Sequence, residues 1–141
     1  MNTIGIVDIE TTGFLAQGGK IVEIGIVELD ITSGERKVLF DSLIKEDGLS
    51  EYHTRQPMGW IFENSSLRYE DLQNAPNLTD VKVEIQEIFD SFFTGVTAFN
   101  KAFDFGFLKS RGFRIAELPC IMHTATPVLN LPSKGKHKGS K

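Results

Sequence analysis

The chain has 141 residues, 40% of them hydrophobic and 24% charged, which is the balance of a globular domain and not of a disordered segment. That length allows one domain with a sizeable core, to which eleven phenylalanines contribute. A formal charge of −4 gives no sign of a general polyanion binder, and the single Cys120 excludes an internal disulfide framework and a zinc site of its own.

No apolar run reaches the length of a bilayer span, and no signal-type segment opens the chain, so a cytoplasmic protein without a membrane partner is the expectation. Charge is unevenly spread. The tail "KGKHKGSK" (134–141) holds four lysines and no acid, so against an overall −4 residues 1–133 carry −8. The tail reads as a basic, flexible appendage.

In chain order, "TIGIVDI" (3–9), "KIVEIGIVELD" (20–30) and "RKVLFDSLI" (36–44) read as strands separated by glycine-containing turns. The second is apolar on both faces through its middle, as in a strand covered on two sides. Short loops between the three predict an antiparallel meander. Residues 45–78 show no clean period and read as an irregular connection with a short helix near 67–73. In that stretch Tyr52 and Trp60 read as packed aromatics, with base stacking as the other use.

From Thr79 the pattern changes: Val81, Ile85, Ile88, Phe89 and Phe92 form a helical stripe, with Thr79 as N-cap and Gly95 as stop. "GVTAFN" (95–100) reads as a short buried strand, and "KAFDFGFLKSRG" (101–112) as a helix that Gly112 ends. One more strand is expected around 119–124. The order βββαβα is an α/β arrangement, a meander followed by strand–helix crossovers.

Asp8 and Glu10 are two acids in the apolar run "GIVDIETTGF". On a strand they leave the same face about 7 Å apart, where like charges repel by about 2 kcal/mol at an effective dielectric of 20. Taken alone they read as a strand end meeting water. Inside a sheet they would need a cation, an arginine or a proton between them. Oxygen ligation of this kind suits Mg²⁺ or Mn²⁺, not zinc. Asp104 sits near a helix start behind Asn100, where an acid complements the helix dipole. Its position beside the Phe103–Phe107–Leu108 stripe leaves it at best half exposed. His53, His123 and His137 have no metal-type spacing, and neither a G-x-S-x-G elbow nor a phosphate-binding glycine loop occurs.

Together, "VDIETTGF" resembles the first motif of the DnaQ-like (DEDD) 3′→5′ exonucleases, and "AFNKAFDFGFL" resembles their second, in the right order. The resemblance covers about residues 3–113 and implies a ribonuclease H-like mixed sheet and two-metal hydrolysis of phosphodiester bonds in DNA or RNA. It implies that Asp8 bridges two Mg²⁺ or Mn²⁺ ions, that Glu10 holds the water-activating one, and that Asp104 completes the cage directly or through water. Thr11, Thr12 and Gly13 would let backbone approach the terminal nucleotide, Phe14 would pack on its sugar or base, and Asn100 would fix the helix start. The implied partner is a single-stranded DNA or RNA 3′ end. A second copy of the chain or a polymerase-type protein stays open as a further partner.

One departure stands out. The family's third motif, an Asp preceded by a His or Tyr, has no counterpart, since no Asp follows Asp104 and the only later acid is Glu117. His123-Thr124 stands where relatives often show Asp-Thr, and no general base is identified. Residues 1–133 are therefore read as an exonuclease-like domain incomplete at its C-terminus, without the family's closing helices, and truncation before the third motif is the expectation. The alternative is an inactive module that keeps the fold to bind a nucleic-acid end or a partner.

Overall fold

The computed structural model describes residues 2–118. Strands β1 (Thr3–Thr11), β2 (Ile21–Asp30), β3 (Arg36–Leu43) and β4 (Val96–Thr97) form one sheet in the order β3-β2-β1-β4. Backbone bonds at both ends show β2 antiparallel to β1, with Ile31 N donating to Asn2 O (2.7 Å) and Thr12 N to Lys20 O (2.8 Å). The same holds for β3 on β2, from Asp30 N to Glu35 O (2.9 Å) at one end and Ile44 N to Val22 O (2.9 Å) at the other. β4 instead runs parallel to β1, with Gly5 opposite Val96 and Ile6 opposite Thr97. The sheet is therefore mixed, a three-strand meander joined by a crossover strand, as the sequence predicts. β2 is buried from Ile21 to Ile26, which matches its two apolar faces.

Within the described residues the chain groups into two compact units, one of residues 2–8, 25–41 and 82–118, the other of 9–24 and 42–81. In the first, helix α4 (Lys101–Ser110) presses Phe105, Phe107 and Leu108 into the core. Asn100 caps it, its side chain accepting from Phe103 N (3.4 Å). Gly112 takes positive φ just past α4, at the stop the sequence assigns it, whereas the preceding helix ends at Asp90, so Gly95, also at positive φ, is not its stop. Phe113 returns to meet Phe89 edge-on, ring centres 5.7 Å apart. Beyond α4, Val96 N donates to Ala116 O (2.9 Å) and Leu118 N to Val96 O (3.0 Å), so this segment runs beside β4. Glu117 pairs there with Lys101 and Lys109.

In the second unit a core of Val22, Ile61, Leu67 and Leu72 is covered by Leu43, Leu49 and Phe62. Buried Glu46 accepts from Ile21 N at 2.6 Å. The stretch 45–78 is more structured than its sequence suggests. It holds a 3-10 turn at Glu51–Thr54, a one-turn helix α1 (Trp60–Glu63), and another, α2 (Tyr69–Leu72), within the expected 67–73.

Several expectations need correction. Helix α3 (Leu78–Asp90) is capped by Asn77, whose side chain accepts from both N and Oγ1 of Thr79, so Thr79 lies inside the first turn. Phe92 falls past the helix end yet is buried, its ring lying against Gly5 of β1, where a Cβ would meet it at 2.7 Å. β4 covers only Val96–Thr97 of the expected 95–100, since Asn100 is already capping α4. Tyr52 and Trp60, read as packed aromatics, are 62% and 43% exposed. Among the described residues no helix is long and apolar enough to cross a membrane. The strand expected at 119–124, Cys120, His123, the tail with His137 and the question of closing helices lie outside the described residues.

Candidate functional site

β1 carries the first acids because its N-terminal part is a hydrophobic strand. Ile4, Ile6, Val7 and Ile9 are all at most 2% exposed, which fixes the strand so firmly that its polar end inherits a set position. Asp8 is half-buried and Glu10 only 4% exposed, so the acids do not form a strand end meeting water. Asp8 and Asp104 belong to the first unit; Glu10 and residues 11–14 belong to the second.

The threonines after Glu10 are structural anchors. Thr12 is fully buried, and its hydroxyl accepts from Lys20 N (2.8 Å) while its own N–H reaches Lys20 O (2.8 Å). Thr11 Oγ1 donates to Gly13 O at 2.8 Å. Gly13 has φ +69°, and a side chain there would fall 2.6 Å from Met58 Cγ, so the glycine is required both by its backbone and by its neighbour. Phe14 follows with its ring 63% exposed. Gln17 Oε1 accepts from Phe14 N (2.9 Å), and Phe14 O accepts from Gln17 N (3.0 Å) and Gly19 N (3.1 Å). A bonded turn thus presents an aromatic ring to solvent.

Asp104 is 1% exposed in the first turn of α4, its N–H donating to Asn100 O (2.9 Å). Burial is deeper than the stripe beside it implies, because Phe105, Phe107 and Leu108 all enter the core around it. The helix N-terminus favours negative charge at this position, while burial disfavours a charge left uncompensated. Met58 and Gln17, which hold the turn at Gly13 and Phe14, carry no sequence signal. Met58 lies in the aperiodic segment, and Gln17 reads as one more polar loop residue.

The donor set is all carboxylate, the chemistry of a hard divalent cation. Its number is short of a cage, for among the described residues no three of His, Cys, Asp and Glu gather to hold a metal ion.

Residues 6–135 match the family described as Exonuclease, RNase_T. The chain belongs to the RNase_T exonuclease family. Family exonucleases generally work with divalent metal ions. Two solved structures share the fold: one described as "crystal structure of full-length 3'-exonuclease", the other as "3'-end specific recognition of histone mRNA stem-loop by 3'-exonuclease". Each has 14% identity and a TM-score of 0.52, over 72% of this chain and 47% of that one. This RNase_T chain therefore spans about half the length of the structures it matches. Among curated proteins, none matches its sequence significantly.

Proposed function

We propose that the chain is a 3′→5′ exonuclease domain acting on a single-stranded DNA or RNA end, with Asp8, Glu10 and Asp104 as its divalent-cation carboxylates. The observation that carries this reading is the deep burial of Glu10 and Asp104, two acids in the order of the family's motifs, in a chain of the exonuclease family. When bound, Mg²⁺ or Mn²⁺ supplies Lewis acidity toward the phosphodiester and lowers the pKa of water. The chain's own residues do the positioning. Asn100 sets the helix start that carries Asp104, Thr12 and Gly13 hold the backbone turn, and Phe14 offers its ring to the terminal sugar or base. The 3′ polarity draws support from the solved 3′-exonucleases of the same fold, one of which recognises an RNA 3′ end.

A second reading, a non-hydrolysing module that binds a nucleic-acid end, is favoured by the finding that among the described residues no three of His, Cys, Asp and Glu gather to hold a metal ion. One assay separates the two. Mononucleotide release from an oligonucleotide should require Mg²⁺ or Mn²⁺ and fall by about 100-fold or more in Asp8→Ala. Release that is unchanged in Asp8→Ala rejects the carboxylate site. Salt-sensitive binding without release, in the presence of metal, selects the binding module.

A further inference from the structure

Phe99, in the segment "AFNKAFDFGFL", is an aromatic that the core leaves out. It is 41% exposed, and among the described residues its ring stacks on no other. Its sequence neighbours Phe92, Phe105, Phe107 and Phe113 are all at most 5% exposed, so core packing accounts for them and not for it. Phe93 is more exposed still, but it precedes β4, where Thr94 Oγ1 donates to Thr3 O at the start of β1. Phe99 follows β4, at the other end.

That end carries the acids of the first unit. The parallel register sets Ile6 opposite Thr97, and two residues on from each the chain reaches Asp8 on β1 and Phe99 past β4. Asn100, next after Phe99, caps α4, and Asp104 stands in the first turn of that helix. Phe99 is thus set between the element that carries Asp8 and the one that carries Asp104, all three in one unit. A nucleotide offers its phosphate to cations held by carboxylates and the flat face of its base to an aromatic ring. A phenylalanine has no hydrogen-bonding group, so it reads a base by stacking surface and is blind to a 2′-OH.

We propose that Phe99 stacks on the 3′-terminal base of the bound strand, so that ends are ranked by stacking surface, purine above pyrimidine, in DNA and RNA alike. The proposal rests on the binding of a nucleic-acid 3′ end and not on its hydrolysis. Fluorescence anisotropy in Mn²⁺ tests it with short 5′-labelled single strands ending in adenine, in cytosine or in an abasic sugar. Each carries a phosphorothioate at its last linkage against cleavage. Wild type is expected to hold the adenine end roughly tenfold tighter than the abasic end, with cytosine between. Phe99→Ala and Phe99→Leu should lose that ratio while binding the abasic end as before, and Phe99→Trp should keep it. Circular dichroism confirms the fold of each variant, and leucine, which keeps apolar bulk, decides if the alanine variant unfolds. If both unfold, Phe99 serves packing and the proposal fails. A wild-type ratio near one overturns it, as do folded alanine or leucine variants that keep the ratio or weaken all three strands alike. A wild type that binds none of the strands overturns the end-binding reading as well.

Discussion

Gly59 and Gly106 are the same residue type under opposite constraints. A Cβ on Gly59 would sit 2.1 Å from Thr54 O, a backbone atom that cannot swing away, whereas a Cβ on Gly106 within α4 meets nothing within 4 Å. Gly59→Ala is expected to cost about 1–3 kcal/mol by forced displacement of the chain. Gly106→Ala should be neutral or gain up to about 1 kcal/mol from helix propensity. Urea denaturation of the two variants checks both signs. From sequence the two look alike, since no local pattern shows which glycine has backbone against it. The acids differ in the same way. Asp8 and Glu10 announce themselves by interrupting an apolar run. Asp104 reads as a helix-start acid with a ready structural role, and its burial follows only from how deeply its neighbours enter the core.

Among the elements, caps can be tested directly. Asn77 accepts two bonds from Thr79 and donates to Asp47 Oδ1 (2.6 Å), so Asn77→Ala is expected to cost about 1 kcal/mol or slightly more. Thr79→Ala, which spares the N–H bond to Asn77, should cost less, and thermal melts of the pair distinguish them. Either residue satisfies the sequence rule for a cap, which is why the helix was legible and its first residue was not. The meander and α4 were legible because long apolar alternation and a capped stripe repeat their signal several times. The 45–78 stretch was not. Its elements are single turns, too short to show a period, and are set by side-chain bonds such as His53 Nδ1 accepting from Ser50 N (3.1 Å) and Asp71 Oδ2 accepting from Arg68 N (3.0 Å).

For the whole molecule, a cation held by the folded chain alone must also stabilise it. At 100 times its dissociation constant the gain is about 2.7 kcal/mol, several degrees in melting temperature for a domain of this size. Mn²⁺ is expected to raise the melting temperature of the wild type and not that of Asp8→Ala. A wild-type melt indifferent to Mn²⁺ removes these carboxylates as its holders, whatever the nuclease assay shows. Composition and motif order reveal the fold class and the family. They do not reveal that β1 passes from one compact unit to the other between Asp8 and Ile9, a division drawn by contacts distant in sequence.

The double tie between Thr12 and Lys20, with Gly13 and Gly19 held just inside it, gives residues 14–18 an independence of their own. The hairpin is latched before its tip begins, so the tip is an interchangeable part, not a hinge on which the strands rely. Doubling the length of a flexible tip costs only about 0.6 kcal/mol of closure entropy. Selection, or a protein engineer, can therefore exchange what stands around Phe14 without re-registering the strands that carry the acids.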